Sequence, residues 1–208
     1  VPEDMDPGHA ALTEPIATAL HAVGIAERAL WRPLGETRAL VIGGGAVGLA
    51  AALVLQSRSA CNITIIDTNP GRRETVSKAG KFDVAEPSDP NALKDGHFGL
   101  VIDAVGSGLT RALASRTVVP GGVIAHIGLM SEDTGLDIRR LTLQEVTFIG
   151  TYTYTMVDFR ATISAISMGI LGDLAWIERR PLAEGVGAFD DLENGRSAAS
   201  KIMLYPQN

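Results

Sequence analysis

Apolar residues fall along this chain in two kinds of stretch: short unbroken runs rich in β-branched residues, and longer segments in which they return every three or four positions. The runs at Ala39–Ile42, Ile63–Ile66, Phe82–Ala85, Leu100–Asp103, Val123–Ile127 and Val146–Ile149 predict six strands. Between them, helical composition follows the glycines after Ile42, then RRETVSKAG stopped by Gly80, then Leu109 to Val118, and finally a segment running from TYTYTMVDF to about Met168. Pro120-Gly121-Gly122 reads as a turn into the fifth strand. Ahead of the first strand, residues 1–9 read as an entry loop. Leu12, Ile16, Leu20, Val23 and Ile25 approach helical spacing, as one helix or as two broken near Gly24. Trp31 to Gly35 is a linker, and Pro15 in the first helical turn is tolerated there. At the other end, Phe189 to Ala198 is helix-like and Lys201 to Tyr205 strand-like, with no evident sheet partner. Strands alternating with helices predict an α/β fold, a doubly wound parallel sheet flanked by an N-terminal helix and a C-terminal helix/strand segment. The expected divisions are 1–34, 35–156 and 157–208.

Ligands of such sheets bind beyond the carboxyl ends of the strands. The glycines Gly43, Gly45 and Gly48 follow the first strand at G-x-G-x-x-G spacing and open a helix. Gly43 lets the backbone leave the strand sharply, Gly45 presents no side chain to a pyrophosphate, and Gly48 lets the helix lie close on the strand. The helix N-terminus adds N–H donors and a partial positive charge. About 20 residues further on, the second strand ends in Asp67, where a dinucleotide needs an acid for its ribose hydroxyls. The candidate ligand shell is Gly43, Gly44, Gly45, Ala46, Val47, Gly48, Asp67, Ala104, Val105, Gly106, Ile127, Gly128 and Leu129, with Thr151 and Tyr152 beyond the sixth strand. For the loops after the fourth, fifth and sixth strands, a plain strand-to-helix turn explains the residues as well. Asp67 favours NAD, because a carboxylate repels a 2′-phosphate. Arg72 and Arg73 leave NADP open as the lesser choice, a guanidinium being a phosphate holder; their other reading is a solvated helix face.

Composition narrows the classes. With 208 residues, 46% of them hydrophobic, the chain can bury a substantial core. A net charge of −6 offers no basic footprint for nucleic acid or anionic membrane. The single cysteine, Cys61, excludes an internal disulfide framework and a cysteine-rich zinc site; it reads as structural, and a reducing, cytoplasmic setting fits. No apolar run reaches the roughly 20 residues of a membrane span, and no signal peptide is visible. The chain begins with Val1, which points to a fragment or a processed product.

Taken in order, AALTEPIATALHAV, the glycine loop, IIDTNPGRRETVSKAG, VIDAVGSG, VPGGVIAHIGL, FIGTYTYTMVDF and PLAEGVGAFDDLENGRSAASKIMLYP make a chain that resembles the medium-chain dehydrogenase/reductase family, in particular its zinc-type alcohol and polyol dehydrogenases. The resemblance implies a Rossmann domain binding NAD, a reaction moving hydride between an alcohol or polyol and nicotinamide, and zinc in the full-length enzyme. It also implies a preceding catalytic domain with most zinc ligands, for which no counterpart lies ahead of Val1. The chain alone is therefore expected to be inactive. The segment from about Val157 would fold back on that domain, leaving Lys201 to Tyr205 an edge without its neighbours. Glu14, of the Glu-Pro pair, would reach the zinc; its alternative is a carboxylate favoured by the helix dipole. His21 lies on the same helix face as Glu14 and is the one histidine kept as a site neighbour, while His9, His97 and His126 read as ordinary surface or helix histidines. Pairing through the edge from Glu145 to Gly150 would make a homo-oligomer. A non-catalytic dinucleotide-binding module is the alternative function. A methyltransferase ranks lower, because Val41-Ile42 stand where such enzymes carry an acid.

Overall fold

The computed structural model describes every residue except 1, 4, 61, 131–133, 207 and 208, so Cys61 lies outside the described residues. The chain turns helical earlier than expected. Helix α1 spans Pro7–Ala11, capped by the Asp6 carboxylate, which accepts the His9 N–H at 3.1 Å. Helix α2 spans Thr13–Ala29, so the break falls at Leu12 and α2 runs straight through Gly24. Burial explains this continuity: Leu12, Ile16, Ala19, Val23 and Ala26 form one fully buried stripe, which outweighs the roughly 1 kcal/mol that glycine costs a helix.

The sheet is built from β1 (Arg38–Ile42), β2 (Asn62–Ile66), β3 (Asp83–Ala85), β4 (Phe98–Asp103), β5 (Val118–His126) and β6 (Thr147–Gly150). Its order is β3-β2-β1-β4-β5-β6, and every pairing is parallel. Between the strands run α3 (Ala46–Ser57), α4 (Pro70–Ala79), α5 (Gly108–Thr117) and α6 (Ile138–Leu143). Alternate strand residues feed two cores. Ala39, Val41, Ile63, Ile65, Leu100 and Ile102 pack under α2 and α3, while Leu40, Ile42, Ile66, Val101 and Ile124 pack with Ala114 and Leu141 on the other face. Strands buried on both faces must be apolar throughout, and this made them legible as unbroken runs. The chain reverses direction across the sheet between β1 and β4, and the crevice at their carboxyl ends is where a doubly wound sheet holds its ligand.

Two elements of the sheet region differ from expectation. Pro120 to Gly122 are part of β5 and not a turn ahead of it: Phe98 pairs with Val118 but Leu100 with Val123, so the proline and glycines bulge from the ladder. Gly121 takes the left-handed conformation there, at φ +70°, and its N–H bonds the Gln144 carbonyl at 2.8 Å. The short helix α6, capped by Asp137, went unread because six residues offer too little periodicity.

Helix α7 (Met156–Ser167) starts at a Thr155–Asp158 capping box and packs on α2. The Asp158 carboxylate also meets His21 Nδ1 at 2.9 Å, tying the two helices together. At the C-terminus, β7 (Ile177–Pro181) and β8 (Lys201–Tyr205) form a parallel pair connected through α8 (Gly185–Glu193). Lys201 to Tyr205 therefore pairs with a strand that the sequence did not reveal, because IERRP has the polarity of a loop. The last helix occupies 185–193 instead of 189–198, since Gly195 at φ +64° ends it. Among the described residues, no helix is long and apolar enough to cross a membrane.

Candidate functional site

At the carboxyl edge of β1 the three glycines of the fingerprint do different work. Gly43 sits at φ +97°, and its N–H bonds the Ile66 carbonyl at 2.8 Å, holding the turn against β2. A Cβ on Gly48 would collide with the Gly43 carbonyl, so α3 lies directly on the loop. Gly45 is different. Its backbone, at φ −68° and ψ −176°, suits any residue, and a Cβ there would meet no atom of the described residues within 4 Å. It caps α3, so the first-turn N–H groups of Ala46, Val47 and Gly48, which have no partner inside the helix, gather at this opening. Gly44, between them, lies in the expected ligand shell but has no place in the fingerprint. Its N–H donates to Asp67 Oδ2 at 2.8 Å, and an added Cβ would come within 2.9 Å of Val76.

Asp67 follows β2 and is 7% exposed. Its Oδ1 accepts the Asn69 N–H at 2.8 Å, and Arg72 Nη1 stands 3.5 Å from Oδ2. The solvated-face reading of the two arginines fails. Arg72 folds onto Asp67 with its Nε buried and without a hydrogen-bond partner among the described residues, and Arg73 Nη1 donates to the carbonyls of Asp67 and Thr68 at 2.7 and 3.0 Å. The N-cap Asn69 places both: its Oδ1 accepts the Arg72 N–H at 3.0 Å and starts α4 immediately beside the acid.

Beyond β4 and β5 the structure adds a residue that sequence reasoning missed. Asp103 is completely buried. Oδ1 accepts the N–H groups of Val105 and Gly106 at 3.0 and 2.9 Å, and Oδ2 accepts the Thr110 hydroxyl at 3.0 Å. Its carbonyl takes the N–H groups of Ile127 and Gly128 at 2.9 and 3.0 Å. One acid thus shapes both loops, 104–106 and 127–129, and Gly106 and Gly128 press together where neither could carry a Cβ. The signal was an acid closing an apolar run just before small residues, the place for a carboxylate that caps the next turn. His126, at the end of β5, is no surface histidine: its side chain is 14% exposed, stacks on Phe148 at 5.6 Å and brings Nε2 to 3.6 Å from Asp103 Oδ2. Thr151 joins this edge through its N–H, 2.9 Å from the His126 carbonyl, while Leu129 and Tyr152 are 81% and 78% exposed.

Glu14, the one residue read for zinc, and its helix-face neighbour His21 stand apart. Glu14 is exposed on the first turn of α2, and His21 is turned to Asp158. Among the described residues no group of three or more His, Cys, Asp or Glu is placed to hold a metal ion. A zinc centre takes four donors, so Glu14 by itself does not fit one. His97 stacks edge-on to Phe98 at the opposite end of the sheet, its pKa lowered by burial and by Arg38 and Lys94.

The family profile described as zinc-binding dehydrogenase matches residues 46–168, from the first residue of α3 to Met168, which caps α7. The chain belongs to the zinc-binding dehydrogenase family. Among the relatives of this chain, L-galactonate-5-dehydrogenase of Escherichia coli K12 is 30% identical over 98% of the chain and 61% of its own length. L-threonine 3-dehydrogenase of Cutibacterium acnes is 29% identical over 97% of the chain and 58% of its own length. The solved structure of acetophenone reductase from Geotrichum candidum in complex with NAD superposes with a TM-score of 0.85 at 22% identity, over all of this chain and 58% of that one. The chain thus spans about three-fifths of the length of the relatives it matches. The resemblance read from its motifs and its doubly wound fold are both borne out.

Proposed function

We propose that the carboxyl edge of this sheet binds a dinucleotide, NAD in preference to NADP, and that the chain is the cofactor-binding part of a zinc-type alcohol or polyol dehydrogenase. In this reading the pyrophosphate lies on Gly43 to Gly48 and the N-terminus of α3, and the adenosine ribose is held by Asp67 with Arg72 alongside. The nicotinamide reaches the loops Ala104 to Gly106 and Ile127 to Leu129, with Thr151 at their rim. The chemistry is the cofactor's hydride transfer, and these residues bind and orient it. Residues 35–156 form the dinucleotide unit, with 1–34 and 157–208 belonging to the catalytic part, where Glu14 would meet zinc supplied with donors from outside these residues. A cytoplasmic homo-oligomer completes the proposal. Its natural seam is β6, the sheet's edge strand, where Thr147 and Phe148 are exposed.

Gly45 carries the reading. Every other glycine of the fingerprint is demanded by its conformation or its neighbours, but nothing among the described residues requires Gly45 to lack a side chain. The requirement comes from outside, at a helix N-terminus suited to an anion. Gly45→Ala is therefore expected to leave stability within about 0.5 kcal/mol of the parent while weakening NADH binding at least about tenfold. Thermal unfolding and a calorimetric NADH titration measure the two effects. Undiminished NADH binding by the variant would overturn the assignment of the pyrophosphate to this loop.

A further inference from the structure

Residues 194–200, between α8 and β8, close over the glycine loop from the far end of the chain. The Asn69 amide Nδ2 donates to the carbonyls of Gly195 and Ser197 at 2.6 and 3.2 Å. Ala198 packs on Gly71 so closely that a Cβ there would come within 2.9 Å of the Ala198 methyl. Ser200, 7% exposed, donates its hydroxyl to the Gly44 carbonyl at 2.7 Å.

The Gly44 residue is thereby held from both sides, its N–H by Asp67 and its carbonyl by Ser200. That carbonyl shares a peptide plane with the Gly45 N–H. In a trans peptide the two point in opposite directions, so the grip on the carbonyl also sets where the N–H points. The Gly45 N–H finds no acceptor among the described residues, and it belongs to the residue whose missing side chain leaves open space.

We infer that Ser200 is a positioning residue for the dinucleotide phosphates: by holding the Gly44 carbonyl from behind, it aims the Gly45 N–H at the bound pyrophosphate. This rests on the dinucleotide reading above and extends it to a residue far outside the fingerprint. The C-terminal strap is then part of the cofactor site, and occupancy of the site is felt in β8. The mechanism is selective. It acts on the phosphates and not on the ribose, which Asp67 holds independently.

The test is a set of titrations with NADH and with adenosine, run well below each variant's unfolding temperature. Ser200→Ala is expected to weaken NADH binding about tenfold and to leave adenosine binding unchanged, because a freed peptide loses its aim at a phosphate that adenosine lacks. Ser200→Thr, which keeps the hydroxyl, is expected to stay within about threefold of the parent. Amide exchange in 201–205 should slow on adding NADH to the parent and not to Ser200→Ala. Should Ser200→Ala fail to fold, Ser200→Cys serves instead: the thiol fills the same place but is a weak donor to the Gly44 carbonyl, and a loss confined to NADH is again expected. Equal NADH affinity in parent and variant, or equal losses for NADH and adenosine, would overturn the role of Ser200 and leave the dinucleotide reading standing. Absence of NADH binding by the parent would instead overturn that reading itself.

Discussion

A Gly48→Ala variant is expected to lose about 3 kcal/mol of stability or more, together with measurable NADH binding. Helix propensity alone predicts the opposite sign, since alanine is favoured over glycine inside a helix by roughly 1 kcal/mol. The steric effect wins because the obstacle is backbone. The added Cβ would run into the Gly43 carbonyl, with the Ala104 side chain 3.3 Å away as a second close neighbour. Helix α3 would have to lift from a loop that Gly43 anchors to Ile66, uncovering Leu49, Leu53 and their neighbours in the larger core. Gly24→Ala in α2 is the internal control. There the nearest atoms to an added Cβ are the ends of Arg58 and Arg28 at 3.7 and 3.8 Å, so propensity acts unopposed and stability should rise. Denaturant midpoints of the two variants decide the matter; a Gly48→Ala protein as stable as its parent would show that α3 does not rest on the loop.

Asp67→Ala is expected to weaken NADH binding about a hundredfold and to turn the preference toward NADPH. In the free protein the carboxylate organises its surroundings: it accepts N–H groups from Gly44 and Asn69 and neutralises Arg72. Its removal leaves two donors without an acceptor, and hydrogen bonds to a charged group are worth about 1.5–3 kcal/mol each. The two consequences separate by ligand. Loss of the ribose contact weakens both dinucleotides, but loss of the charge also ends repulsion of a 2′-phosphate and frees the Arg72 guanidinium to hold one. Parallel titrations of the variant with NADH and NADPH give the ratio directly. A ratio unchanged from the parent would remove Asp67 from cofactor selection.

What could be read from the chain, and what could not, divides along the range of the interactions. The strands β1, β2 and β4 are buried on both faces, so each is an apolar run that nothing but a core strand explains. The glycine loop and Asp67 were legible because their spacing is local, set by one strand–helix–strand unit. Strand β7 carries two arginines and a proline, and only its pairing with β8 makes it a strand. Asp103 was counted as a strand end, since its partners are the backbone of two loops that come together only in the fold. Ser200 lies 156 positions from the carbonyl it holds, a distance at which no motif carries a signal. His21 shared a helix face with Glu14 but found its partner on α7, a contact that helical spacing cannot anticipate. The arginines after Asn69 were open to two readings in sequence; the N-cap that aims α4 at Asp67 decides between them.

The measurement that tests the central claim most directly is a calorimetric titration of this chain with NADH and, separately, with NADPH. Micromolar or tighter binding of NADH with much weaker binding of NADPH is the predicted result, and it would establish a formed dinucleotide site selected by Asp67. Binding of neither would contradict the account, leaving the open space at Gly45 and the N-terminus of α3 without the ligand assigned to them.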